Sequence, residues 1–526
     1  MTVKQVLGLP LCLLAIAPAP ASLAAQQIWL PAACDIKPGN QMVNKGMESL
    51  RSAAGTKFAD QRSKDIKEAE RNLTQAVTTG KQEQNAAAWY YLGRYYLMVD
   101  DVVGADTALT KAAALAPACK DDIALYRHNH WVNVYNAGIQ AWQAGNIDSA
   151  TTAFRRATRI YQSDPLAFIY LANLYVGRQE PDSALRKTDG AKYHTDSLAY
   201  TTRMDSAAKY FRLAVPAASD PKYAKDRREA YFNVARVYHS VKRYDEAKAA
   251  YREYLGVYPN DVQAMASLAG LYLIANHPDS AMVLYRAILE HADSASADDL
   301  FSAAQSVLGT IPLSPDTAEM DTNCSKAQKK RGPALTARQI SARCQPAAKD
   351  TMQKFHALAD PQYRFVAQAY ETGLSKNPYS RDALYNLAGI SFLVGDTNKV
   401  LPLAKRLYAV DPMNRMSLAK IAGGWQLLGK KDSAVYYLNM ADSLPIEVTV
   451  GSFSPSEKGA QLDGLFTNFH SKPSSPLKIG FEFLDATGAV VASQPQEVSA
   501  LAIGANQAFK VSVDRPGVTA WRYKRL

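Results

Sequence analysis

Little in this sequence points to bond-making chemistry. It has no Gly-x-Ser-x-Gly elbow, no glycine-rich phosphate loop and no His-Glu-x-x-His pair, which excludes the common hydrolase, nucleotide-binding and zinc-protease patterns. Histidine is scarce, eight in 526 residues, and its one local cluster is Arg127-His128-Asn129-His130. Two rings at i and i+2 of a helix diverge by about 200°, a poor fit to one metal ion. No cysteine pair has the close spacing of zinc ligands, so neither a metal nor another cofactor is expected. No apolar run reaches the roughly 20 residues of a bilayer span, so no transmembrane segment is expected. Charge of one sign is not concentrated. The 60 basic and 49 acidic residues leave a net +11 spread along most of the chain, and nucleic acid is not the expected partner.

What is present is an ordered chain with 48% hydrophobic residues and 29 tyrosines, too long for one growing core, which calls for several domains or a repeat architecture. Lys4 precedes an apolar stretch from Val6 to Ala17, followed by small residues at Ser22-Leu23-Ala24-Ala25. This is the pattern of a cleaved signal peptide over residues 1–25, with a lead segment at 26–41 and an exported, periplasmic or secreted product. Removing that stretch discards Cys12 and leaves four cysteines. In an oxidising compartment they pair: Cys324 with Cys344 across a short span and, by elimination, Cys34 with Cys119; free thiols are the alternative.

From Trp89, apolar and small residues fall at Leu92, Gly93 and Tyr96, then at Ala105, Leu109, Ala112 and Pro117, with a break near Asp100 and Asp101. That is helical periodicity on two successive stretches, hence a helix pair. The pattern returns in register at Tyr231, Val234-Ala235, Tyr238, Ala247, Tyr251, Tyr254 and Pro259. It returns again at Met265, Leu268-Ala269, Tyr272 and Ala281; at Leu384, Leu387-Ala388 and Ala404; and at Leu418, Ile421-Ala422, Trp425 and Ala434, with weaker copies around Gly138 and Phe168. This spacing resembles the tetratricopeptide repeat, a helix hairpin of about 34 residues. The resemblance implies a mainly α helical-hairpin solenoid over 42–444.

Asp-Ser-Ala recurs at 148–150, 182–184, 205–207, 279–281 and 432–434, with Asp245-Glu246-Ala247 as a variant. An acid and a hydroxyl suit a helix start, so these sites should mark where second helices begin. Two insertions interrupt the register, near 177–203 and 311–359. In the first, either Asp-Ser-Ala could open the second helix, and the later one has the better apolar face. The second insertion is polar, and its Cys324–Cys344 stretch holds Lys326, Lys329, Lys330, Arg331, Arg338 and Arg343 with no acid. It is either a solvated surface loop closed by a disulfide or a contact for an anionic partner. After Pro445 apolar and polar residues alternate between turn residues, which predicts a small all-β sandwich at 446–526, separate from the helices. Phe481-Glu482-Phe483-Leu484-Asp485 is similar to the FxLYD-type envelope domain, departing at the third and fourth motif positions.

Together these features predict a non-enzymatic scaffold of the cell envelope that presents a groove to a segment of a partner protein. An outer-membrane assembly or trafficking factor, lipid-anchored through Cys34, and an enzyme of unrecognised class are the alternatives. In the resembled family the concave face carries motif positions 2, 5, 6, 9, 12 and 13 of first helices. That register implies Tyr90, Tyr91 and Arg94; Tyr135, Asn136 and Trp142; Tyr170 and Asn173; Phe232, Asn233, Arg236 and His239; and Tyr385 and Asn386. Ile169 and Tyr135 stand where a clamp for a terminal carboxylate would need lysine, so a free carboxy terminus is not the expected ligand. The same aromatics could instead bridge adjacent repeats and stiffen the inner face.

Overall fold

The computed structural model describes Trp29 and residues 31–177, 180–331 and 335–526. The signal-like stretch 1–25 and the side chain of Arg331 lie outside the described residues. The chain divides into two compact units, Met1–Tyr254 and Leu255–Leu526.

The first unit is a succession of helix hairpins. Helix α1 (Gln41–Gly55) packs on α2 (Ala59–Thr78), α3 (Ala86–Met98) on α4 (Val102–Leu115), and α5 (Lys120–Gln143) on α6 (Ile147–Ile160). Then come α7 (Leu166–Val176), the single turn α8 (Leu185–Thr188) and the long α9 (Gly190–Ala217), which packs on α7. Helix α10 (Ala224–Ser240) sets Phe232 against Tyr251 and Tyr254 of α11 (Tyr244–Val257). The hairpins close tightly because one helix offers a residue without a side chain. A Cβ on Gly46 would lie 2.5 Å from Leu73, one on Gly93 2.6 Å from Leu109, and one on Gly138 2.8 Å from Phe154. Leu73, Leu109 and Phe154 are fully buried as a result.

The second unit continues with α12 (Val262–Ile274) on α13 (Pro278–Glu290), and with α14 (Ala297–Leu308) on the far end of α16. The intervening α15 (Thr317–Arg331) lies along the near end of α16 (Ala337–Lys376). Next are α17 (Arg381–Leu393) on α18 (Thr397–Val410) and α19 (Arg415–Leu427) on α20 (Lys431–Asp442). Gly373 meets Phe301, repeating the contact seen in the first unit, and between successive hairpins a Cβ on Gly424 of α19 would sit 2.9 Å from the Leu401 backbone of α18.

Three expectations are corrected. The 311–359 insertion is no loop: α15 and the start of α16 form a helix hairpin, bridged by Cys324–Cys344 with Cα atoms 5.7 Å apart. A capping box of Thr336 and Gln339 opens α16, and Ile340, Cys344 and Ala348, spaced by four, bury one narrow stripe. Asp205-Ser206-Ala207 does not begin a helix, since α9 starts earlier, at Gly190 with Asp189 as its cap, and Asp205 instead pairs with Arg243. The later stretch does supply the apolar face, through buried Ala207, Phe211 and Ala214. Of the others, Asp148, Asp245, Asp279 and Asp432 do stand in first turns of α6, α11, α13 and α20, whereas Asp182 lies ahead of α8 and accepts from Ala184 N. The cap bond on α6 is accepted by Asn146, and α13 and α20 have no side-chain cap. The first-turn acids complement the helix dipole without themselves capping α6, α13 or α20.

Six antiparallel strands complete the unit: β1 (Glu447–Ser456), β2 (Gly459–Thr467), β3 (Leu477–Leu484), β4 (Val490–Val498), β5 (Asn506–Val513) and β6 (Ala520–Arg525). They form two sheets, ordered β1-β2-β5 and β4-β3-β6. Phe481 of one sheet meets Phe509 of the other at 4.9 Å between ring centroids, with Phe466 and Tyr523 beside them, a sandwich core of aromatics. The sheets do not stand apart from the helices, because one buried apolar cluster runs from Val262 through the helices to Tyr523. At its centre lies the buried carboxylate of Asp411. It accepts from Tyr523 Oη at 2.5 Å, Arg381 Nε at 2.9 Å and Ser417 Oγ at 3.3 Å. The chain after the last helix pairs with the turn before α19: Val448 N donates to Met413 O, and Asn414 Nδ2 to Val448 O.

Leucine at position 138 would collide with Phe154, and Gly138→Leu should destabilise the chain by about 1–3 kcal/mol in chemical unfolding. Gly423 is open, with nothing within 4 Å of a built Cβ, and Gly423→Ala should be neutral or stabilise by roughly 0.5–1 kcal/mol. Tyr523→Phe removes one donor from the buried Asp411 and should cost about 1–3 kcal/mol, read by the same measurement.

Candidate functional site

The helices that the repeat register designates as first helices present their inner faces very differently along the chain. On α3, Tyr90, Tyr91 and Arg94 are all buried. Tyr90 Oη donates to Asp122, and Arg94 lies between the rings of Trp29 and Tyr126, 3.7 Å and 4.3 Å from their centroids. These three residues are not on an open surface, because the lead segment and α5 cover them. Burial and the bond to Asp122 push the Tyr90 phenol far above its usual range.

On α5 and α7 the aromatics bridge repeats. Tyr135 stacks on Trp131 at 4.7 Å and meets Tyr170 edge-on at 5.8 Å, while Tyr170 also meets Trp142 and Phe154. Burial, with Tyr170 adjacent, raises the Tyr135 phenol strongly. Asn136 remains exposed and Asn173 half-buried beside this array. On α10 a half-buried set survives: Phe232, Asn233, Arg236 and His239. Asn233 Oδ1 accepts from Arg236 at 3.2 Å, and Arg236 Nη2 is buried with no hydrogen-bond partner among the described residues. Burial holds both the Arg236 guanidinium and the His239 ring below their ordinary values.

In the second unit the same face is open. A cavity of about 930 Å³ lies between α17 and α19. Its lining includes Tyr385, Asn386, Gly389, Phe392 and Leu393 from α17, and Ala419, Lys420, Gly423, Gln426 and Leu427 from α19. Those are motif positions 5, 6, 9, 12 and 13 of two successive first helices. Gly389 and Gly423 floor it; Phe392, Leu393 and Leu427, exposed by 54%, 51% and 40%, wall it with hydrocarbon. Lys420 Nζ sits 4.6 Å from the Tyr385 ring centroid. Burial among these groups lowers the ammonium's pKa, and no acid of the described residues forms an ion pair with it. Asn386 is less free than its register suggests, since its amide donates to Tyr370 Oη and Gln305 Oε1. Tyr385 and Asn386 were legible from the motif; Gly389, Phe392, Leu393, Lys420, Gly423 and Leu427 follow from the same register carried further along each helix.

A second cleft of about 310 Å³ lies where Asp298, Arg381, Asp382, Ser452 and Trp521 converge. Its cation is already engaged, Arg381 pairing with both Asp411 and Asp382. The basic residues Lys326, Lys329, Lys330, Arg338 and Arg343 are exposed along α15 and α16. Among the described residues no group of three His, Cys, Asp or Glu side chains is placed to hold a metal ion, and no helix is long and apolar enough to cross a membrane. The four cysteines pair as Cys34–Cys119 and Cys324–Cys344.

The family model of the tetratricopeptide repeat matches residues 229–261, the α10–α11 hairpin and the turn after it. The helix-hairpin solenoid with this repeat makes the chain a tetratricopeptide-repeat protein. A comparison with curated proteins found no match. Among solved structures, a tetratricopeptide repeat protein from Parabacteroides merdae is 12% identical over 60% of this chain and 93% of its own, with a TM-score of 0.27. MamA is 16% identical over 40% of this chain and 92% of its own, with a TM-score of 0.22. PilW, described as a type IV pilus biogenesis factor, is 16% identical over 58% and 99%, with a TM-score of 0.22. Nothing about function follows from likenesses at that level.

One buried imidazole, His130, and one half-buried imidazole, His239, give the helical faces a pH dependence. Burial depresses His130, against the partial opposition of Asp100, and depresses His239 alone, so the folded chain binds fewer protons than the unfolded one near their usual value of 6.5. Their contribution to stability is therefore present above 6.5 and lost as pH falls below it. Thermal unfolding followed from about pH 7.5 to about pH 5 should show stability falling, and the combination of His130→Gln and His239→Gln should flatten that slope.

Proposed function

We propose that this chain is a non-enzymatic protein-binding scaffold of the cell envelope, and that its working surface is the groove between α17 and α19. The observation that carries the reading is the alignment of repeat register and cavity. The positions that line the groove are those the repeat turns inward, and here glycine, alanine and exposed hydrocarbon, with Tyr385, Asn386 and Gln426, surround Lys420, which has no acid as ion-pair partner among the described residues. Such a trough suits an apolar segment of a partner protein. The glycines let its backbone approach, Phe392, Leu393 and Leu427 cover its side chains, and Lys420 meets a carboxylate on the same segment. Within so apolar a site that charged bond is stronger than on open surface, which favours acidic-apolar segments over purely apolar ones. The envelope setting is supported by the signal-like amino terminus and by the two disulfides, which persist in oxidising compartments.

A photo-crosslinking residue placed at Gln426 tests this in cells. It should give discrete adducts with a partner that disappear with Gly423→Trp, which fills the floor, and that weaken about tenfold with Lys420→Glu. Unfolding midpoints should stay close to those of the parent chain, because Gly423 faces open space. Adducts unchanged by both substitutions in folded protein would move the binding surface elsewhere.

A further inference from the structure

The lead segment does more than connect. Trp29 lies over the Arg94 guanidinium at 3.7 Å and parallel to the ring of Tyr91. Beyond it, the Ala33 amide donates to Asp122 Oδ1 at 3.2 Å, and the Pro38 carbonyl accepts from Asn85 Nδ2 at 2.8 Å. Ala32 and Ile36 rest on the core of the first unit, and Cys34 is joined to Cys119. None of its described residues is in a helix or strand. The groups it covers on α3 are Tyr90, Tyr91 and Arg94, motif positions 5, 6 and 9. They correspond to Tyr385, Asn386 and Gly389 in the open groove.

We propose that this face of α3 is a second peptide site, filled by the chain's own segment around Trp29, and that a partner segment carrying an aromatic side chain binds there by displacing it. The recognition is of the right kind for exchange. Its polar contacts are one indole on a cation, one backbone amide and one backbone carbonyl, of which the two backbone bonds are open to any sequence, and Ala32 and Ile36 add small apolar contacts. Arg94 is only 7% exposed, and its Nη1 is buried with no hydrogen-bond partner among the described residues. A competing segment that set a carbonyl or carboxylate against Nη1 would gain a charge-assisted bond there. Against this, the resident segment has the advantage of its tether, and the Cys34–Cys119 bond keeps its local concentration high. Reduction of that bond therefore tilts the competition toward the partner.

The proposal shares the repeat register with the reading above but not the α17–α19 groove, so either can fail alone. The test uses the full chain carrying Trp29→Ala, Cys34→Ser and Cys119→Ser. The probe is a fluorescent acetylated peptide of residues 29–40 with Cys34→Ser. The released chain should bind the peptide saturably, and the parent chain, oxidised, at least about tenfold more weakly, because its site is occupied. In the released chain Arg94→Ala should cut affinity about tenfold, and so should Asp122→Asn, which keeps an acceptor for Tyr90 but weakens the one for the segment's amide. Equal binding by parent and released chains would place the peptide elsewhere and overturn the proposal. So would absence of binding by a released chain of unchanged helical circular dichroism. Collapse of the helical signal on release would make the segment an integral part of the fold rather than an exchangeable occupant, and would overturn the proposal as well.

Discussion

The structure depends on how closely two helices of a hairpin can approach. At Gly46, Gly93, Gly138 and Gly373 one helix offers bare backbone, and a large side chain of its partner occupies the space: Leu73, Leu109, Phe154 and Phe301. Each contact draws the pair together, buries the alanines around it and leaves the same helix face turned away from its partner at each repeat. That face is where tyrosines, asparagines and the open groove are found. Tight packing on one side of a first helix thus decides what its other side is free to do.

Free is not the same as available. On α3 the inner face is covered by Trp29 and Tyr126; on α5 and α7 the aromatics spend their surface on each other; on α17 and α19 small residues leave a trough. The register is constant while the side chains change from large to small, and the site appears where the register calls for bulk and receives glycine. The half-buried set on α10 lies between these extremes, with Arg236 held in a partly dry setting beside Asn233.

The sheets add a second constraint. Asp411 ends α18 in a position where its carboxylate is removed from water and must be satisfied by Arg381, Ser417 and Tyr523, one donor from the start of α17, one from α19 and one from β6. Removing a carboxylate from solvent is costly, and burial pushes its pKa upward while the three donors oppose that. Such a group tolerates few alternative arrangements. It ties the last strand to the helices that carry the groove, which gives the β sandwich a structural part in holding α17 and α19 at their spacing.

The sequence by itself determined the repeat hairpins and the all-β character of residues 446–526, because each rests on a local or periodic signal, and its preferred cysteine pairing, with free thiols as the alternative, is the one the structure has. Leu-Gly and Leu-Ala pairs mark close contacts, and alternating residues mark strands. It misassigned the 311–359 insertion because polar composition masked a sparse stripe, Ile340, Cys344 and Ala348, with a capping box before it. It misplaced one helix start because an acid and a serine inside a long helix look the same as those at its beginning. Which inner faces are open was decided only by tertiary structure. Tyr90 and Tyr385 occupy the same motif position, yet one is sealed by a segment some 60 residues earlier in the chain and the other lines a trough. The docking of sheet on helix through Asp411 was equally illegible, since Tyr523 lies 112 residues beyond Asp411 and shares no local pattern with it or with Arg381 and Ser417. Periodicity is a property of neighbours along the chain; what covers a surface is a property of distant segments, and only folding brings those together.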